Sequence, residues 1–207
     1  MMKLILSPCA TATCSLIFSS TVFAASVEVE VKDANGNALP DAAVYAESVS
    51  GAAPARPKAS EIEQKGRKFL PLMTVIQTGS EISFPNNDTV RHHVYSFSPV
   101  KPFELKLYSG TPSSPVLFDK PGTVVIGCNI HDRMVAYIQV VNTPYFGKSS
   151  ETGRVRMSDL PAGKYRLKAW HHQLLSGATM PESEITVGKQ DIAVSIALTS
   201  KSDASPH

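Results

Sequence analysis

From residue 26 onward, apolar and polar side chains alternate in short runs, each closed by turn residues. Residues 26–31, SVEVEV, have a period of two, the signature of a half-buried strand, and DANGN follows as a turn. Residues 42–47, AAVYAE, form a second short strand, and SGAAPARPKAS at 50–60 is small, polar and Pro-containing, as a connecting loop is. Residues 68–84, KFLPLMTVIQTGSEISF, then VYSFS, GTVVIGC and MVAYIQVV, are β-branched or aromatic runs. After NTPYFGKSSETG come RVRMSDL, KYRLKAW, EITV and IAVSIAL, each bounded by Gly, Pro or Ser, and the end, TSKSDASPH, reads as loose. No 3.6-residue stripe persists anywhere. The pattern predicts an all-β protein, a sandwich or barrel.

Composition changes this little: 207 residues, 43% hydrophobic and 18% charged, suffice for one sizeable core or two small ones. A formal charge of +2 with no block of like charge gives no sign of a nucleic-acid partner. The N-terminus stands apart. It carries one basic residue, Lys3, a mostly apolar stretch, and small residues ending at Ala24. This pattern predicts a secretory leader over residues 1–24, cut after Ala24, and hence a periplasmic or secreted protein. A retained membrane anchor is the competing reading, but Pro8 and scattered Ser and Thr leave no apolar run of about 18 residues. No other segment reads as a membrane span.

Cleavage would remove Cys9 and Cys14 and leave Cys128 as the single cysteine of an exported chain. Under oxidising conditions a lone cysteine is a buried inert thiol, half of an intermolecular disulfide, or a ligated thiolate. Its surroundings bear on the choice. Residues 127–134, GCNIHDRM, hold Cys128, His131 and Met134 at Cys-x2-His-x2-Met spacing. With two strands flanking this loop, Val124, Ile126 and Cys128 share a face of the first, and Met134, Ala136, Ile138 and Val140 share a face of the second. Cys128 and Met134 then meet at one end of the sandwich, with His131 on the loop between them. A fourth ligand must come from elsewhere, and HHV at 92–94 offers one. His92 and His93 point to opposite faces of an extended segment, and an inward His92 keeps Val94 inward too. His92 is therefore the candidate ligand, and His93 a neighbour of the site or a surface residue. Two imidazoles, a thiolate and a thioether suit a soft, redox-active metal, copper in its two oxidation states. The bland alternative is a buried Cys and Met beside a surface His.

These residues resemble the cupredoxins, the small blue-copper proteins such as plastocyanin, pseudoazurin and amicyanin. The resemblance lies in FLPLMTVIQTGSEISFPNND, in the Asn-Asn-x4-His-x-Val pattern of NNDTVRHHV, and in FDKPGTVVIGC; the short gap from Cys to Met is closest to amicyanin. It covers about residues 60–142 and implies a Greek-key β-sandwich. It also implies His92, Cys128 and His131 as equatorial ligands and Met134 as the axial one. Relatives often keep Asn after the first ligand, where this chain has His93. Asp132 and Arg133 replace apolar or Pro residues near the outer histidine and would favour a charged partner surface. The flanks, VEVEVKDANGNALPDAAVYAE and TGRVRMSDLPAGKYRLKAWH, resemble two parts of a transthyretin-like or carboxypeptidase-regulatory-like β-module. The expected division is thus a leader to 24, a flanking module in two parts over 25–58 and 143–199, a cupredoxin over 59–142 inserted between them, and a disordered tail from 200. The alternative is a pair of unrelated extensions packed on one sandwich. His171 and His172, after Trp170, read as an exposed pair in rim packing, with a second metal site as the alternative.

The resemblance implies a one-electron copper carrier exchanging with a redox protein partner, a cytochrome or a dehydrogenase. It extends to bacterial plastocyanin-like proteins of the methylamine-utilisation type. Copper delivery, storage or sensing without electron traffic uses the same ligands, and a structural or binding module with a decayed site is a further alternative. An enzyme is disfavoured. Gly127 and Asn129 flank the cysteine where multicopper enzymes place histidines, and four ligands would leave no open position for substrate.

Overall fold

A computed structural model of the chain describes residues 24–174 and 179–199. The expected tail lies outside them, as does the expected leader apart from Ala24. Among the described residues there is no helix, and therefore none long and apolar enough to cross a membrane. The chain is all-β, as the alternation predicts.

Two strands come first, β1 (Ala24–Asp33) and β2 (Ala43–Ser48). The middle supplies β3 (Ser60–Glu61), β4 (Glu63–Lys65), β5 (Lys68–Leu70), β6 (Met73–Gln77) and β7 (Ser80–Ser83). It continues with β8 (His92–Ser96), β9 (Phe103–Tyr108), β10 (Val116–Phe118), β11 (Gly122–Gly127) and β12 (Val135–Val141). Then follow β13 (Phe146–Lys148), β14 (Arg154–Pro161), β15 (Gly163–Trp170), β16 (Glu182–Val187) and β17 (Ile192–Leu198).

Two cores result. The first lies between a sheet ordered β14, β1, β17 and a sheet ordered β13, β2, β15, β16. Val27, Val29 and Val31 fill it from β1, Val44 and Ala46 from β2, Tyr165 and Leu167 from β15, and Ile196 and Leu198 from β17. These are the inward members of the alternating runs, which is why the sequence pattern finds these strands. Gly153 lets β1 and the start of β14 close up. Its φ is +72°, and a Cβ there would lie 2.5 Å from the Val31 carbonyl oxygen.

The second core lies between a sheet ordered β6, β12, β11, β8, β9 and a smaller one ordered β10, β7, β3. Ile62, Ile82, Phe84, Val94, Phe118, Val124, Ile126, Ala136 and Ile138 fill it. Strands β9 and β10 are not among the sequence-predicted runs; β9 is a half-buried edge strand of the large sheet. The β11–β12 hairpin has an unbroken antiparallel register from Gly122↔Val140 to Gly127↔Val135. Cys128 and Met134 follow directly beyond its last pair.

The two cores touch through the backs of their sheets. The Tyr137 ring of β12 lies 5.8 Å from Trp170 and stacks at 4.9 Å on His172. Thr143 Oγ1 donates to the Ala46 carbonyl at 2.7 Å, and Gln77 Oε1 accepts the Arg56 N–H at 2.6 Å.

Candidate metal centre

The hairpin end is closed by the backbone. Cys128 N–H donates to the Met134 carbonyl at 3.2 Å, and Met134 N–H to the His131 carbonyl at 2.9 Å. These turns fold residues 129–133 over the end of the sheet, so His131 comes back to stand above Cys128. The alternation places Cys128 on the core side with Val124 and Ile126, and its thiol is buried at 4% exposure.

His92 arrives on the neighbouring strand, 0% exposed. The loop before it is pinned by Asn86, whose side-chain amide donates to the Val90 and Tyr108 carbonyls at 3.0 and 2.8 Å. Asn86 Oδ1 accepts the Asp88 N–H at 3.0 Å. Asp88 is then held from the opposite side by the two-residue β4–β5 turn. Gly66 and Arg67 both have positive φ, the type I′ pattern, and their N–H groups donate to the Asp88 carboxylate at 2.7 and 2.9 Å. Asp88 Oδ2 in turn lies 2.7 Å from His92 Nε2.

That contact sets the tautomer. With Nε2 donating its proton to the carboxylate, the lone pair sits on Nδ1, the atom that faces Cys128 Sγ at 3.9 Å. The hydrogen bond from Arg67 N–H, with those from His92 and Gly66, keeps the Asp88 carboxyl below the usual carboxylate range against the opposing effect of burial. It therefore stays an acceptor. His131 also presents Nδ1 to the sulfur, at 3.8 Å, and the two rings cross edge to face with centroids 5.0 Å apart.

His92 Nδ1, Cys128 Sγ and His131 Nδ1 all lie within 4.8 Å of one another. Among the described residues this is the only group of three or more His, Cys, Asp or Glu side chains placed to hold an ion. The spacing suits a single bound ion. With metal–nitrogen and metal–thiolate bonds of about 2.05 and 2.3 Å, a trigonal angle separates sulfur from nitrogen by about 3.8 Å, and a tetrahedral angle by about 3.6 Å. The separations of 3.9 and 3.8 Å let one ion reach all three atoms, and a His2Cys set is the one that copper electron-transfer sites use. The donor set fits copper on chemical grounds as well, two imidazoles suiting the oxidised ion and a thiolate the reduced one.

Met134 is buried against the same core, 1% exposed, and joined to Cys128 by the backbone bond above. Tyr108 closes the site from β9. Its hydroxyl accepts from Gln64 Nε2 at 2.5 Å and donates to the Phe84 carbonyl at 2.6 Å. Its pKa is pushed up to about 12, first by burial and, against the Gln64 hydrogen bond, by the nearby Cys128 charge.

The other histidines stand apart from this group. His93 is buried by Tyr95, 5.6 Å between centroids, and by Glu104, whose Oε1 lies 3.0 Å from His93 Nε2 without hydrogen-bond direction. It faces away from Cys128, as alternation requires. His171 and His172 correct the expected exposed rim pair. His171 is 3% exposed and His172 half-buried, because Tyr137 and Trp170 from two sheets close over them. Asp88, Asn86 and the Gly66–Arg67 turn are the functional residues that the sequence reading passed over. The available signal was a carboxylate four positions before His92, on a loop opened by Asn-Asn.

No protein-family model and no curated protein sequence matches the chain. The solved structures to which it is similar include cupredoxins and a copper-containing enzyme. A purple cupredoxin from Nitrosopumilus maritimus shares 19% identity over 40% of this chain and 99% of that one, with a TM-score of 0.37. Amicyanin from Paracoccus versutus shares 15% over 46% of this chain and 91% of that one, with a TM-score of 0.34. A copper-containing nitrite reductase from Thermus scotoductus SA-01 shares 25% over 44% of this chain but only 24% of that one, with a TM-score of 0.38.

Proposed function

We propose that the chain is an exported blue-copper protein that carries single electrons between redox partners, with His92, Cys128 and His131 as equatorial ligands and Met134 as the axial one. The observation that carries this reading is the convergence of two imidazole Nδ1 atoms on the buried Cys128 Sγ. Bound copper supplies the one-electron couple. The protein's own residues supply rigidity: Asp88 fixes the His92 ring, and the hairpin end fixes Cys128 and His131. A site that is preformed and buried reorganises little when its charge changes, which suits repeated electron exchange. With four protein ligands proposed, no coordination position is left open for a substrate, so the reading is of a carrier and not an enzyme. The partner is a redox protein, a cytochrome or a dehydrogenase, and export follows from the N-terminal leader pattern.

Metal-free protein titrated with Cu(II) should develop one intense visible absorption per chain, arising from the sulfur–copper bond. Cys128→Ser should abolish it while leaving the circular dichroism of the β-fold unchanged. A chain that stays colourless with added Cu(II), or a colour that survives Cys128→Ser, would end this reading.

A further inference from the structure

Beside the metal centre, on the outer face of β8 and β9, lies a cavity of about 600 Å³. His93, Tyr95, Phe97, Phe103, Glu104 and Asn129 line it. Its walls are aromatic and its one formal charge is a carboxylate. Neither lysine nor arginine lines it, and Lys106, the next outward residue of β9, makes no ion pair with Glu104. One feature is unusual for a folded surface, and a second supplies an accessible charge. Phe97 is 85% exposed, its ring resting 5.0 Å from Tyr95, although burying such a ring is ordinarily favourable by a few kcal/mol. The Glu104 side chain is 53% exposed, and its nearest charged neighbour is the directionless histidine contact.

The cavity is also tied to the site. His93 and Asn129 are the chain neighbours of His92 and Cys128. The hydroxyl end of Tyr95 lies against Gly127, so that a Cβ there would meet its Cζ and hydroxyl oxygen at 3.1 Å. Anything seated here stands within a residue or two of both His92 and Cys128, with Asn129, at the start of the His131 loop, forming part of its wall.

Aromatic faces with a single carboxylate form a receptor for a planar organic cation. A guanidinium stacks on the rings and pairs with the carboxylate in one pose. An ammonium is a weaker fit because it is more strongly hydrated and has no flat face. We propose that this cavity is the docking pocket for an arginine side chain presented by the redox partner. The proposal rests on the electron-carrier reading for the nature of the partner, and on the pocket alone for its chemistry. The partner's arginine would lie between Phe97 and Tyr95 with Glu104 as its counter-ion, an aromatic and arginine pairing of the kind that anchors interfaces.

The experiment uses the metal-free full chain, labelled with nitrogen-15, and N-acetyl-arginine amide as the probe. Amide shifts that saturate and cluster at residues 93–104 and at Asn129 are expected, with little response to the neutral isostere N-acetyl-citrulline amide. Glu104→Gln and Phe97→Ala should each weaken the arginine probe about five-fold. Both side chains are exposed, so both variants should keep the parent unfolding midpoint and the parent Cu(II) absorption. Equal binding of the citrulline probe, shifts scattered over the surface, or unchanged affinity in both variants would overturn the proposal. So would tighter binding of a free small amine such as benzylammonium, or shifts at these residues on concentrating the protein alone, which would mark a second copy as occupant. Failure of the copper reading shows separately, as a colourless titration with the arginine response intact.

Discussion

Asp88 does for His92 what a free imidazole cannot do for itself: it fixes which nitrogen carries the proton and where the other one points. It is in turn fixed by two backbone N–H groups of the β4–β5 turn, so the ring inherits the rigidity of a hairpin. Removing such a partner of a ligating histidine commonly costs about 10–100-fold in metal affinity. Asp88→Ala is expected to weaken Cu(I) binding within that range, read by competition with a chromophoric chelator. Asp88→Asn, which keeps an acceptor but not the charge, should fall between the variant and the parent. The inward placement of Cys128, Met134 and His92 was legible because strand alternation assigns a face to every residue: Cys128 and Met134 share the face of the buried members of β11 and β12, and His92 that of Val94. Asp88 was not legible, because its role depends on a turn twenty residues earlier that no local pattern connects to it. His93 shows the same limit. Alternation gives the face it occupies, but not that Tyr95 and Glu104 cover that face.

Strand β8 carries the first ligand on one side and the aromatic wall of the side cavity on the other. It manages both through a shift in its pairing with β9 between His92 and Val94. Such an irregularity sets no mark in the hydrophobic pattern, and β9 was itself overlooked, since an edge strand that buries only one side weakly gives a weak signal. The β11–β12 hairpin was the opposite case, with regular alternation on both arms and a loop rich in turn residues. What holds β8 to its loop is the buried Asn86 side chain, with two donated bonds and one accepted. Asn86→Ala would leave the Val90 and Tyr108 carbonyls and the Asp88 N–H without their partner. Each orphaned buried group costs about 1–3 kcal/mol. A loss of about 3 kcal/mol in urea unfolding is expected, together with weaker copper binding. Unchanged stability would mean that the loop is held by other contacts.

Across the whole protein, the contact between the two cores runs through a pair of histidines that prefer to be neutral. His171 accepts the Gln173 N–H on Nδ1 at 3.2 Å and hydrogen-bonds the Pro40 backbone, so a neutral ring satisfies both of its nitrogens. Burial, and then the neighbouring His172, push its pKa down from 6.5 to about 4. The unfolded chain therefore takes up a proton at His171 near pH 6.5 that the folded chain refuses until about pH 4. Stability should fall as pH drops through this window, by on the order of 2–3 kcal/mol, and level off below it. His171→Asn, neutral throughout, should flatten the dependence of the urea midpoint on pH between 7 and 4. His172, whose pKa burial also lowers, accounts for slope that remains. A parent whose midpoint is flat across the window would show that this contact is not charge-sensitive.

The pairing of β1 has a consequence for how the chain is made. It is the central strand of its sheet, bonded to β14 on one side and β17 on the other, so its strand partners begin only at Arg154, although its last residues meet the turn that follows, where Lys32 bridges Ala38 and the Val31 carbonyl accepts the Leu39 N–H. During synthesis, Val27, Val29 and Val31 emerge early and wait, while residues 60–141 can complete their own pairings first. Nascent chains halted before residue 154 should thus present a sticky, chaperone-recruiting ribbon next to a finished sandwich of residues 60–141. Release of the last four strands, β14 to β17, converts that ribbon into the middle of a sheet.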